Sequence, residues 1–293
     1  MTIDKKIPES ELILHPDGSV YHLNLKPEQL AETVILVGDP KRVEIISNHF
    51  DEIEFKSCNR ELCTHTGSLN NKRLTVLSTG MGTDNIDIVL NELDALVNVD
   101  LDKRVAKEHH TTLNIIRLGT SGALQPDVPL NSFIVSEYGL GLDSVVLYYK
   151  DKENIIEKEM TDAFYKFSNW PEDLSKPYMI KGSEVLSEKL GEGFFKGITA
   201  TSPGFYGPQG RVVRLNLAYP DIVDILHNFK YEDKRILNFE METSALYGLG
   251  KMLGHNTLTI CVAIANRYRL EYNNDYNIAV KKLIKTVLKR LTV

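Results

Sequence analysis

Cysteine is scarce in this sequence, with Cys58, Cys63 and Cys261 making up the whole supply. They are odd in number and have no C-x-x-C or Cys/His spacing of the zinc type, which speaks against a structural metal site. They are expected to be reduced, mostly buried packing residues rather than nucleophiles. Long apolar runs are missing too. No stretch is hydrophobic enough to span a bilayer, and the first residues lack the apolar centre and small-residue cleavage site of a secretory signal. A cytoplasmic protein with no membrane partner is expected. There is no block of positive charge either: 34 Lys+Arg stand against 40 Asp+Glu, a net charge of −6. That excludes a surface built to follow a nucleic-acid backbone. No linker rich in Pro, Gly or Ser divides the chain and no repeat or low-complexity segment is visible, so one domain is expected over 21–293 behind a polar N-terminal arm over 1–20.

What is present is the pattern of an α/β protein. The apolar run Val34 to Val37 ends in Gly38-Asp39-Pro40, and Lys41 to Phe50 then shows helical spacing, which reads as strand, turn and helix. From Arg60 to Thr79, β-prone stretches flank Asn70-Asn71, residues that tolerate the left-handed backbone of a tight hairpin. Ile86 to Val97 and Asn277 to Leu291 read as amphipathic helices. Leu113 to Leu118 reads as a buried strand running into a small-residue turn, Gly119 to Gly122. Further strands are predicted at Ser132 to Ser136, Ser144 to Tyr149, Gly197 to Thr201, Ile236 to Phe239 and Thr257 to Ala265. Hairpins together with helical crossovers require a mixed sheet.

Four clusters carry chemistry. Gly38 to Arg42 lies where a strand hands over to a helix, and free backbone N–H groups with a nearby guanidinium suit an anion. It lacks the glycine pattern of a dinucleotide site. Arg117 with Gly119-Thr120-Ser121-Gly122 is a second candidate anion site, the alternative being a turn whose glycines relieve crowding. Two arginines at strand ends make a phosphate-sized anion the leading ligand, because open α/β sheets bind ligands at that edge. Glu240 and Glu242 stand at the next strand-to-helix junction, where the alternatives for a carboxylate are to cap the helix or, aimed into a pocket, to accept the two hydroxyls of a ribose. Finally Phe205-Tyr206-Gly207-Pro208-Gln209-Gly210-Arg211 offers an aromatic face, an amide and a guanidinium, a donor and acceptor set that matches the edge of uracil; the alternative is a solvated loop.

In order along the chain, these motifs resemble the nucleoside phosphorylase family, and within it the uridine phosphorylase type. The resemblance runs from Tyr21-His22-Leu23 to Asn266-Arg267. It rests on GDPKR at Gly38 to Arg42, STGMG at Ser78 to Gly82, IRLGTSGALQ at Ile116 to Gln125 and FEMETSALYGL at Phe239 to Leu249. It implies a three-layer α/β sandwich, a mixed central β-sheet flanked by helices. The loop FYGPQGR looks like the FYPGQER loop of the pyrimidine-cleaving members, whereas purine-cleaving members carry a Ser-Asp pair where this chain has Ala265-Asn266-Arg267.

Carried over by residue, the resemblance implies phosphate contacts from Gly38, Arg42, Arg117 and Thr120, with Arg60 reaching in from a neighbouring subunit. It implies ribose contacts from Met241 and Glu242 with the neighbour's His22, and a pyrimidine pocket of Phe205, Gln209 and Arg211. Arg117, Glu242 and Arg211 are the implied catalytic residues. The implied reaction is reversible phosphorolysis of uridine to uracil and ribose 1-phosphate, with phosphate as co-substrate and no metal or organic cofactor. The implied minimal unit is a homodimer, and bacterial members commonly form hexamers. Alternatives on the same fold are a purine nucleoside phosphorylase, a nucleosidase or a non-catalytic nucleoside sensor. The chain departs from the family at Thr83-Asp84-Asn85, where Gly-Pro-Ser is frequent. There the Ser and a Glu matching Glu61 can line a monovalent-cation site, and Asn85 argues against one. Gly210 replaces the loop's usual Glu, and Lys150 to Leu186 shows the weakest resemblance.

Overall fold

The structure, a computed structural model, describes residues 5–293; residues 1–4 of the N-terminal arm lie outside the described residues. The first half of the chain forms β1 (Thr33–Val37), α1 (Pro40–Ser47), β2 (Glu52–Asn59), β3 (Leu62–Leu69), β4 (Lys72–Ser78), α2 (Thr83–Asn98), the short pair β5 (Val99–Asp100) and β6 (Val105–Ala106), β7 (Asn114–Ala123) and β8 (Phe133–Gly141). The second half forms α3 (Lys158–Ser168), β9 (Tyr178–Lys181), α4 (Glu184–Leu190), β10 (Phe195–Thr201), α5 (Ile222–Asn228), β11 (Lys230–Tyr231), β12 (Lys234–Glu240), α6 (Thr243–Met252), β13 (Asn256–Asn266), β14 (Glu271–Tyr272) and α7 (Asn277–Leu291).

The sheet is mixed, as the coexistence of hairpins and crossovers requires. β1 lies parallel between β4 and β7, and β7 parallel to β13, while the β2, β3, β4 meander is antiparallel. Helices cover both faces because the strands are apolar on both. In β1, Val34 and Leu36 pack into one core with Ile86, Leu90 and Leu93 of α2 and Leu246 and Leu249 of α6. Ile35 and Val37 face the opposite core, with Val43 and Ile46 of α1, Leu186 of α4 and Leu283, Ile284 and Val287 of α7. Each such aliphatic side chain contributes roughly 1.5–3 kcal/mol by burial.

The hairpin reversal lies at Asn70 and Asn71, both with positive φ (50° and 60°), the left-handed pair that asparagine tolerates. Other expectations are corrected. Ser144 to Tyr149 is not a strand: β8 runs on to Gly141, and Val145–Tyr148 forms a 3₁₀ turn, started by the Asp143 carboxylate accepting the Val145 N–H at 2.8 Å. Gly119 to Gly122 is not a turn: β7 continues through it, paired with β13 as far as Ala123. The glycines are needed for close approach, since a Cβ on Gly119 would lie 2.3 Å from the Arg117 guanidinium and one on Gly122 would lie 3.1 Å from the Phe239 ring.

With its end kept slim, β7 also pairs antiparallel with β12, at Phe239 opposite Gly122, so that β7, β13, β8, β10 and β12 close into a ring. The cysteines are corrected too. Cys58 and Cys63 are neither reduced nor buried: they face each other across β2 and β3, Cα atoms 4.0 Å apart, and are joined by a disulfide, whereas Cys261 is free and buried. The sequence hid this because β2 was not anticipated, and only its antiparallel register with β3 makes the two residues neighbours.

Candidate active site

The carboxyl edges of β1, β4, β7, β12 and β13 surround a cavity of about 850 Å³, the edge at which open α/β sheets bind ligands. At its floor β1 passes into α1. Asp39 caps the helix by accepting the Lys41 N–H at 2.9 Å, and Pro40 occupies the first turn, where its missing N–H costs nothing. Arg42, one turn in, is half-buried, and among the described residues its guanidinium makes no hydrogen bond or ion pair. Burial lowers its pKa, Asp39 opposes, and the charge of Arg117 adds to the lowering. A cation left unneutralised beside a helix N-terminus is a site for an anion. Thr120, on the neighbouring strand β7, presents a hydroxyl to the same cavity.

Arg117, also on β7, is buried and forked between two carboxylates. One nitrogen contacts Glu240 at 3.2 Å and the other is hydrogen-bonded to Glu242. Burial alone would lower the Arg117 pKa, but the two carboxylates raise it well above the ordinary arginine value. The structure separates the roles that the sequence left open between the carboxylates. Glu240 is the cap: it ends β12 and accepts the backbone N–H groups of Glu242 and Thr243 at 3.0 Å and the Thr201 hydroxyl at 2.8 Å. Glu242 is held from the other side by the Gly82 N–H at 2.9 Å. That N–H is aimed by the STGMG turn, in which Gly80 and Gly82 have φ of 69° and 99°, a backbone that side chains disfavour. Met241 and Glu242 both line the cavity.

The opposite wall is the loop after β10. Gly207–Gln209 forms a 3₁₀ turn that ends at Gly210 with φ 67°, a left-handed position for which glycine is better suited than the family's usual Glu. Gln209 is buried, and its amide oxygen accepts from Arg211 at 2.5 Å. Arg211 also donates to the Phe205 carbonyl at 2.6 Å, and its guanidinium lies 3.8 Å from the centre of the Phe205 ring. Burial, with the nearby charge of Arg267, pushes the Arg211 pKa down to about 10. Cations that repel one another favour a ligand that brings negative charge between them.

The cavity therefore gathers Gly38, Arg42, Arg117, Thr120, Phe205, Gln209, Arg211, Met241 and Glu242. It does not include His22 or Arg60. Those two lie near one another outside its lining: Arg60 is exposed at the β2–β3 turn with φ 55°, and the adjacent Asn59 amide donates to the carbonyls of Tyr21 and His22 at 3.2 and 2.9 Å. The His22 ring is bonded to Glu92 at 2.6 Å.

Arg267 was missed as a site residue. It donates to the Gln209 and Gly210 carbonyls at 3.0 and 3.3 Å and so holds the loop in place. Its position at the carboxyl end of β13 was the available signal. Asn266, where purine-cleaving relatives are expected to have an acid, is fully engaged in backbone bonding. Its amide donates to Gln125 and Val128 carbonyls at 2.9 and 3.0 Å, and its oxygen accepts from the N–H groups of Tyr268 and Arg269.

A family model described as the phosphorylase superfamily matches residues 32–292. A uridine phosphorylase of Thermococcus kodakarensis is 30% identical over 262 residues, which cover 87% of this chain and 80% of that protein. A uridine phosphorylase of Haemophilus influenzae is 27% identical over 266 residues, covering 89% and 92%. Among solved structures, a Trypanosoma brucei nucleoside phosphorylase, described as showing uridine phosphorylase activity, superposes with a TM-score of 0.82 at 29% identity, over 96% of this chain and 99% of that one.

Proposed function

Since the chain belongs to the phosphorylase superfamily, we propose that it is a pentosyltransferase that cleaves uridine with inorganic phosphate, reversibly, to uracil and ribose 1-phosphate. The observation that carries this reading is one cavity holding both an unneutralised arginine at a helix N-terminus and, on the opposite wall, the Phe205, Gln209 and Arg211 set. Phosphate is bound by the Gly38 backbone, Arg42 and Thr120, with Arg117 behind them. Glu242, fixed by Arg117 and Gly82, takes the ribose hydroxyls beside Met241. The base stacks on Phe205, and the free N–H groups of Gln209 and Arg211 meet its carbonyl edge.

Catalysis in this arrangement is positioning and electrostatics. Phosphate held at the anomeric carbon attacks as the glycosidic bond breaks. Negative charge develops on the uracil, where Arg211 lies, and positive charge on the ribose, where phosphate and Glu242 lie. The step uses neither a nucleophile of the protein nor a metal. The Asn85 amide donates to the Glu61 carboxylate at 3.2 Å, taking a lone pair that a monovalent cation would use. His22 and Arg60 complete the site of a second copy, in at least a homodimer. The Asn266 amide carries no acidic proton for a purine N7, and its nitrogen already donates to the Gln125 and Val128 carbonyls, which favours the pyrimidine reading over the purine one.

No helix among the described residues is long and apolar enough to cross a membrane. A cytoplasmic location is proposed with the activity, and the Cys58–Cys63 disulfide is then one of the few that such a compartment holds. Uracil release from uridine, measured with and without phosphate and beside inosine, tests the function. Phosphate-dependent release with inosine untouched is expected. Release without phosphate would mean a hydrolase, and turnover of inosine alone would move the activity to purines.

A further inference from the structure

A second cavity, of about 700 Å³, shares one wall with the substrate cavity. The loop after β10 is the partition. Its Phe205 and Gln209 line the substrate side, its Tyr206, Gly207 and Pro208 line the other side, and Arg211 lines both. Beyond the partition the walls are apolar: Leu142, Trp170, Leu174, Leu217 and Ile222. Trp170 and Tyr219 turn their polar atoms to the protein, since the Trp170 N–H donates to the Ser175 carbonyl at 2.9 Å and the Tyr219 hydroxyl to Asp173. Two charged residues line this cavity, Arg211 and Arg214, both cationic, and no carboxylate does. Arg214 makes no ion pair or hydrogen bond among the described residues. A volume of this size, apolar walls and a few convergent donors of one sign are the features of a small-molecule site.

We propose that this cavity binds a flat aromatic acid, with its ring system between Trp170 and the leucines and its carboxylate or sulfonate on Arg211 and Arg214. One guanidinium then serves two ligands. An anion that draws Arg211 away from the Gln209 oxygen and the Phe205 carbonyl weakens the base pocket. This coupling rests on the proposed role of Arg211 in uracil binding; occupancy of the cavity does not.

Trp170 is the one tryptophan of the chain, so its fluorescence reports on this site. The probe is 1-anilinonaphthalene-8-sulfonate, an aromatic anion, titrated into the folded protein while energy transfer from Trp170 is followed. Saturable transfer is expected. Leu174→Asp, at a position 39% exposed and therefore tolerant of a polar side chain, should weaken the dye at least about tenfold by setting a like charge beside it. Ala218→Phe, which fills the cavity from an exposed position, should do the same. Glu242→Gln, in the substrate cavity, should leave dye affinity unchanged.

The reverse pattern, or no change in any variant, would place the dye elsewhere and overturn the proposal. The coupling is read separately, as a rise in the KM for uridine at saturating dye with the KM for phosphate unmoved. A KM for uridine that stays constant would eliminate the coupling, whereas failure of the assigned activity would show already in the dye-free assay.

Discussion

Replacing Arg117 with Met is expected to abolish measurable turnover and to destabilise the fold by about 3–5 kcal/mol, because it strands two buried carboxylates that share one guanidinium. Glu240 contacts Arg117 at 3.2 Å and Glu242 is hydrogen-bonded to it. Burial already pushes Glu240 up to about 7 against the opposing pull of Arg117, and without the arginine that pull is gone. The loss should then depend on pH. Glu240, whose folded-state pKa lies above the unfolded value of about 4.3, binds more protons folded than unfolded, so stability falls as pH rises through the interval from about 5 to above 7. Urea unfolding of the variant at pH 5 and pH 8 reads this directly. A loss equal at both pH values, or under 1 kcal/mol, would mean that the cluster is not the buried charge system described above.

Replacing Arg211 with Ala should cost about 10²–10³ in kcat/KM for uridine, the usual effect of removing one donor from a developing negative charge. The KM for phosphate should hold, since Arg211 belongs to the wall facing Arg42 and Thr120. The variant also removes the donor to the Gln209 oxygen, so part of the loss comes from a base amide no longer held in one orientation. Steady-state kinetics with each substrate varied in turn separates the two cases. A phosphate KM that rises as much as the uridine KM would put Arg211 in the phosphate site and undo the division of the cavity into two ends.

How much of the site was legible differs by cluster. Gly38 to Arg42 could be read directly, because a strand, a Gly-Asp-Pro turn and an arginine one turn into the helix are local in sequence and local in space. The carboxylates could be found but not told apart. Glu240 and Glu242 are two residues apart, and which of them caps α6 depends on where β12 stops. Arg267 escaped notice because its partners are the backbone carbonyls of a loop some sixty positions earlier, and backbone acceptors have no signature in sequence.

The sequence by itself determined most of the elements and the family. Two-sided apolar strands such as Val34 to Val37 require helices above and below them, and the order of the phosphate, ribose and base motifs carries the family. Tertiary structure alone decided three things. It closed β7 onto β12, because Gly122 lets Phe239 lie against the strand. It bonded Cys58 to Cys63, because the register of β2 against β3 sets them opposite each other. And it set Arg117 between Glu240 and Glu242. All three depend on which strands become neighbours, and that is settled by packing between segments far apart in the chain, where local propensity has no reach.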